Sequence, residues 1–210
     1  MTTQGRFITF EGIEGVGKST QLKHLAVQLG SSGREVVVTR EPGGTPLAEK
    51  IRSLVLGEAG EPVPSVAELL LMFAARAVHT ENLVRPALAR GAWVLCDRFT
   101  DATFAYQGGG RGVATADIAS LAELSHRDLR PDLTLLLDAP VAVALGRARG
   151  RSGKGDRIEA ETSAFFERVR AAYLERAAEE PTRIRRIDAS RSENEVVSAV
   201  WAAVAPLARA

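Results

Sequence analysis

The residues Gly12-Ile13-Glu14-Gly15-Val16-Gly17-Lys18-Ser19 constrain this chain more than any other stretch. They fit Gly-x-x-x-x-Gly-Lys-[Ser/Thr], follow an apolar strand pattern at Phe7–Glu11, and run straight into a helical pattern. In that strand–loop–helix setting the motif is a phosphate cradle. Glycines let the backbone curl so that its N–H groups point inward at phosphate oxygens, and the helix start adds partial positive charge. Lys18 is expected to reach the β- and γ-phosphates of a nucleoside triphosphate, and the Ser19 hydroxyl to ligate Mg²⁺. Gly12, Glu14, Gly15, Val16, Gly17 and Thr20 complete the cradle. Such a loop binds a nucleoside triphosphate but does not say where the phosphoryl group goes.

The rest of the chain alternates strand with helix. Residues 6–11, 35–40, 92–97, 132–138 and 183–188 are short apolar runs, several of them bounded by Gly, Pro or charge, as buried strands are. Helical periodicity covers 18–30, 64–90, 115–127, 140–149, 159–180 and 192–208, with Pro86 placed to kink or divide the second of these. Alternation of this kind predicts an α/β fold with a five-stranded parallel sheet covered by helices on both faces, the P-loop NTPase type. No repeat or long linker divides the 210 residues, so one domain is expected over 1–210. Two Gly-rich stretches, Gln107–Gly112 and Gly150–Asp156, read as mobile. The second lies in a short lid insert at about 147–158.

Composition narrows the function classes. The 27 basic and 26 acidic residues nearly cancel, which argues against a general grip on nucleic acid. The longest apolar run, Leu69–Ala75, falls far short of the roughly 20 residues that span a bilayer, and residues 1–10 show no secretory leader pattern. The one cysteine, Cys96, sits in an apolar strand pattern and allows no intrachain disulfide. A soluble, cytoplasmic protein without a membrane partner is expected. His24, His79 and His126 show no metal-ligand spacing and receive no role.

Further motifs fall at strand ends and loops: Arg40-Glu41-Pro42-Gly43-Gly44-Thr45, Asp97-Arg98-Phe99, Ala105-Tyr106-Gln107-Gly108-Gly109-Gly110-Arg111-Gly112 and Asp156-Arg157-Ile158-Glu159. In open α/β sheets ligands bind beyond the carboxyl ends of strands. Asp97 is placed to hold Mg²⁺ or its waters, and Arg98 to clamp an acceptor phosphate. Taken together, from about residue 6 to about residue 190, these motifs closely resemble bacterial thymidylate kinases. The resemblance implies an ATP site, a dTMP site, Mg²⁺ and usually a homodimer. It implies that Phe73 stacks on thymine and Arg76 bonds its carbonyl edge. It also implies that Gln107 and Tyr106 contact base and sugar, with Thr103 nearby. Glu14 would approach the 3′-hydroxyl, Arg52 the acceptor phosphate, and Glu41 would orient other side chains. Many relatives carry Ser where this chain has Ala102, which removes a hydroxyl near the acceptor.

Arg147, Arg149 and Arg151 stand two apart before the flap glycines. Related kinases place an arginine either in the phosphate cradle or in the lid. Gly15 follows Glu14 here, so the lid-arginine pattern applies, with Arg149 or Arg151 closing over the transferred group. The implied chemistry is transfer of the γ-phosphoryl group of ATP to dTMP, giving dTDP and ADP. Two alternatives stand beside it. One is a kinase for dUMP or for pyrimidines broadly. The other is a nucleotide-dependent switch, although the Asn-Lys-x-Asp motif of guanine binders is missing from the sequence.

Overall fold

The computed structural model describes residues 4–57, 61–150 and 157–209. Strands β1 (Arg6–Glu11), β2 (Val36–Arg40), β3 (Trp93–Asp97), β4 (Leu133–Asp138) and β5 (Ile184–Asp188) form one parallel sheet in the order β2-β3-β1-β4-β5. All five match the sequence expectation to within a residue at each end. Central β1 and β4 are buried along nearly their whole length, which is why they read as continuous apolar runs rather than alternating ones.

The helices are α1 (Lys18–Ser31), α2 (Pro46–Leu56), α3 (Ser65–His79), α4 (Arg85–Ala89), α5 (Thr100–Thr103), α6 (Thr115–His126), α7 (Val141–Arg149), α8 (Ser163–Glu179) and α9 (Glu193–Arg209). One apolar cluster joins Ile8, Phe10, Leu95 and Leu135 of the sheet to Leu25 and Leu29 of α1 and Val200 and Val204 of α9. A second joins Phe7, Val94 and Cys96 to Val84, Ala87 and Phe99. Each fully buried Val, Leu, Ile or Phe among them contributes about 1.5–3 kcal/mol.

Three sequence expectations need correction. The helix read over 64–90 is not uniform. It widens to π-type turns at Thr80–Val84 before continuing as α4, with Pro86 near the start of that last piece. Helix α2 was not foreseen, although its start is marked: the Thr45 hydroxyl accepts from the Ala48 N–H and Pro46 opens the first turn. Gln107–Gly112 is not a mobile loop. Phe104–Gly110 is a π-helical continuation of α5, pressed onto α8. A Cβ on Gly109 would lie 2.6 Å from the Ala172 Cβ, and one on Gly110 would lie 2.5 Å from the Phe165 ring. These glycines allow two helices to touch; they do not loosen the chain. The lid residues Arg151–Asp156 lie outside the described residues.

Candidate active site

Successive crossovers leave β1 and β3 as neighbours from which the chain departs in opposite directions. The carboxyl ends of these two strands are therefore the switch point where ligands bind. Phe10 lies opposite Asp97, and the Arg98 N–H donates to the Phe10 carbonyl at 2.9 Å. That pairing brings the Gly12–Ser19 loop, carried by β1, against Asp97 and Arg98, carried by β3.

The loop has the geometry a phosphate needs. Gly12 and Gly15 take φ of 126° and 79°, and a Cβ on Gly15 would stand 1.9 Å from the Ala144 carbonyl. Helix α1 starts at left-handed Gly17, with no side-chain cap among the described residues and no acidic residue in its first turn. Its positive end is thus left for an anion. Lys18 is buried, and its Nζ donates to the carbonyls of Gly12 and Ile13, both at 3.0 Å. Burial, reinforced by the nearby Arg98 charge, pulls the Lys18 ammonium down to about 8 against the attraction of Asp97, Glu14 and Glu11.

The Ser19 hydroxyl donates to Asp97 Oδ2 at 3.3 Å. Asp97 Oδ1 is buried with no hydrogen-bond partner among the described residues. One hydroxyl and one carboxylate with an unused buried oxygen suit Mg²⁺, which prefers few protein oxygens plus water and phosphate. No group of three or more His, Cys, Asp or Glu side chains that could enclose a metal occurs among the described residues.

Arg98 is held in the left-handed region at φ 73°. Its Nη1 donates to the Gly12 carbonyl at 3.0 Å and to the Tyr173 hydroxyl at 3.2 Å, and its Nη2 to Glu14 Oε1 at 2.7 Å. The guanidinium lies 4.7 Å from the Tyr106 ring centroid, and the Tyr106 hydroxyl donates to Glu14. Beneath this group, Glu11 accepts from the Phe99 N–H and the Tyr173 hydroxyl, both at 2.7 Å. Burial, together with the nearby Asp101 charge, pushes its carboxyl up to about 8 despite Arg98 and these two bonds. A strained backbone at Arg98 is thereby clamped from both sides, as functional positions often are. Sequence reading missed Glu11 and Tyr173, because neither lies in a motif and their meeting spans 162 residues.

Three compartments meet along this edge. Glu14, Glu41, Arg52 and Arg98 line both a narrow cleft and a wider phosphate cavity of about 420 Å³ that also holds Lys18, Ser19, Asp97 and Arg147. Gly15, Gly17, Thr20 and Arg147 are shared in turn with a third hollow, walled by Ala189, Ser192 and Val196. The narrow cleft is lined by Met72, Arg76, Phe99, Ala102, Thr103, Tyr106, Gln107 and Ile158. Arg52 also donates to the Pro42 carbonyl at 2.8 Å.

Two site expectations differ from the structure in helix phase. Met72, not Phe73, lines the cleft with Arg76. Phe73 packs instead with Leu69 and Ile118. Residues 72 and 76 are one full turn apart, whereas 73 is rotated by about 100°. The Phe73 ring backs the Arg76 guanidinium at 4.8 Å. Likewise Arg147 lines the phosphate cavity and donates to the Ala189 carbonyl at 2.7 Å, while Arg149, at the end of α7, is not among the lining residues. Positions two apart on a helix face nearly opposite ways. Arg151 lies outside the described residues.

A parallel sheet whose phosphate cradle opens on one side to a narrow cleft and on the other to a further hollow has the architecture of a P-loop kinase of nucleoside monophosphates. The thymidylate kinase family model matches residues 10–200. The chain is 59% identical to a thymidylate kinase of Chromohalobacter salexigens over 95% of both sequences. It is 57% identical to one of Pseudomonas syringae pv. syringae over 90% of this chain and 89% of that one. The crystal structure of thymidylate kinase from Ehrlichia chaffeensis superimposes with a TM-score of 0.76 at 33% identity, covering 95% of this chain and 98% of the other. The chain belongs to the thymidylate kinase family.

Proposed function

We propose that this enzyme transfers the γ-phosphoryl group of ATP to the phosphate of dTMP, giving ADP and dTDP. The observation that carries the choice of base is a matched pair of unused polar atoms on two residues that line the narrow cleft. Arg76 Nη1 and Gln107 Oε1 are both buried with no partner among the described residues. The orientation of the Gln107 amide follows from its neighbour. Its Nε2 donates to Glu68 Oε1 at 2.7 Å, and Glu68, although burial alone would raise its pKa, is held below the ordinary range by bonds from Gln107, Arg157 and Arg111. An ionised carboxylate only accepts, so Gln107 keeps an acceptor for the ligand. One donor and one acceptor fit the carbonyl and N3–H of thymine or uracil. Cytosine offers the reverse pattern.

In the transfer step an oxygen of the acceptor phosphate forms a bond to Pγ as the bond from Pγ to the β-bridging oxygen breaks, and ADP leaves with that electron pair. The acceptor is already an anion, so no strong general base is needed and positioning with charge neutralisation suffices. Lys18 neutralises the donor phosphates, and Arg98 and Arg52 the acceptor phosphate. Glu14 lies between them, near the 3′-hydroxyl side. Ser19 and Asp97 would hold Mg²⁺, which when bound screens the triphosphate charge. Arg149 and Arg151 are proposed to approach as the lid closes over ATP, while Arg147 already stands at the cavity.

The test is ATP consumption with Mg²⁺ against dTMP, dUMP, UMP, dCMP, AMP and GMP. The expected result is rapid ADP release with dTMP and a kcat/KM lower by about 10–200-fold for dUMP, the worth of one methyl group. Preference for dCMP would overturn the base-pocket argument. ADP release no faster than the water background for every acceptor would overturn transfer itself.

The same reading places the enzyme in the cytoplasm, which subcellular fractionation checks. No helix among the described residues is long and apolar enough to cross a membrane. It also makes the enzyme a homodimer. Leu47 and Leu54 of α2, with Val66 and Leu70 of the adjacent α3, are 53%, 60%, 61% and 51% exposed, and they supply an apolar face for a second copy. Sedimentation is expected at twice the 22.4 kDa monomer mass, and a charged replacement of Leu54 is expected to shift it towards one.

A further inference from the structure

We propose that His79 is a positioning residue for base recognition, acting through Glu41 to aim the Arg76 guanidinium. The proposal rests on reading the narrow cleft as the base pocket. His79 is completely buried on α3, one turn beyond Arg76, and does not line the cleft. Its Nδ1 donates to Glu41 Oε1 at 2.8 Å, and its Nε2 meets the Thr39 hydroxyl at 2.7 Å. The other oxygen of Glu41 accepts from Arg76 Nε at 2.7 Å. Arg76 Nη2 donates to the Phe99 carbonyl at 3.1 Å.

The guanidinium is also stacked between rings, 4.8 Å from the Phe73 centroid and 5.3 Å from that of Phe99. Every bond in this chain is used except Arg76 Nη1, and that atom belongs to a residue lining the cleft. His79 is thus the far anchor of a relay whose spare donor belongs to a residue of the cleft wall. Burial alone would raise the Glu41 pKa, but Arg76 and His79 together hold it low, so the carboxylate stays an acceptor for both. The surroundings leave little room for rearrangement. Gly44 adopts φ 83°, and a Cβ there would fall 2.4 Å from Thr39 Oγ1 and 2.7 Å from His79 Cδ2.

A side chain that only filled space would tolerate any polar residue of similar size. A positioning residue depends on which atom it presents. His79→Asn keeps a donor where Nδ1 stands and so keeps the link to Glu41. His79→Gln keeps the reach to Thr39 and withdraws the donor from Glu41. With the Glu41 carboxylate half-released, Arg76 can tilt, and displacements of that kind cost about tenfold or more.

The experiment is steady-state kinetics of the full-length enzyme and both variants with dTMP, dCMP and ATP varied in turn, beside thermal unfolding. His79→Gln is expected to raise KM for dTMP about tenfold, with kcat within about twofold and KM for ATP unchanged, and to narrow the dTMP-to-dCMP preference by a similar factor. His79→Asn is expected to stay near the wild type in all of these. Equal behaviour of the two variants, or parallel losses in kcat and in KM for ATP, would overturn the proposal while leaving thymidylate phosphorylation intact. A wild-type enzyme that does not turn over dTMP would remove the base-pocket reading itself, and this proposal with it.

Discussion

Replacing Lys18 by Ala is expected to lower kcat by about 10²–10³-fold, the cost of deleting one preorganised charge-stabilising donor. The position of the ammonium shows why the loss should fall on turnover. Lys18 Nζ is parked on the carbonyls of Gly12 and Ile13, buried at the floor of the cradle where phosphate oxygens would offer a stronger partner. Burial and the Arg98 charge outweigh the attraction of Asp97, Glu14 and Glu11, so the fold on balance disfavours the charged ammonium. Below pH 8 the folded chain holds a charge that burial disfavours. Between about 8 and 10.5 the unfolded chain binds more protons, so stability contributed by this group rises with pH there. Lys18→Ala should therefore leave the unfolding midpoint unchanged or higher. Binding of triphosphate needs the protonated form, so KM for ATP in the native enzyme is expected to climb as pH passes about 8. A folded Lys18→Ala enzyme with near-native kcat would remove Lys18 from the mechanism.

Arg98→Ala is expected to cost about 10³-fold or more in kcat/KM for dTMP, in line with arginines that neutralise phosphoryl groups in transfer. Its guanidinium reaches Gly12, Tyr173 and Glu14 at once, and so ties the cradle to the acceptor side. Lysine has a point charge and no planar fork, so Arg98→Lys should recover only a small part. The backbone supplies a control. At φ 73° alanine is strained by about 1 kcal/mol and glycine is not. Arg98→Gly should thus be more stable than Arg98→Ala, with both inactive. Activity that follows stability across the pair, instead of vanishing in both, would mean that Arg98 serves the fold and not the reaction.

Much of this site could be read from local pattern. The cradle could, because its chemistry depends on consecutive backbone N–H groups and on Lys18 and Ser19 right beside them. Asp97 and Arg98 could, because a charged pair closing an apolar strand stands out. Helix phase was harder. Phe73 and Met72, or Arg149 and Arg147, differ by a rotation that the sequence near them leaves open; packing against α6 settled the first and a hydrogen bond to Ala189, just beyond β5, the second. The glycines at 108–110 carried the wrong message, since a residue without a side chain serves a tight contact as well as a loose loop, and only the presence of Ala172 and Phe165 distinguishes the two.

The sheet, the cradle and the class of chemistry each follow from periodicity or from groups adjacent in the chain. The partners that hold the reacting groups still come from the folded arrangement alone: Glu11 with Tyr173, Glu41 with His79, and Glu68 with Gln107, Arg111 and Arg157. These pairs lie 162, 38 and 39 residues apart or more. A buried charge must find its counterpart wherever the fold brings one, and no local pattern records that meeting.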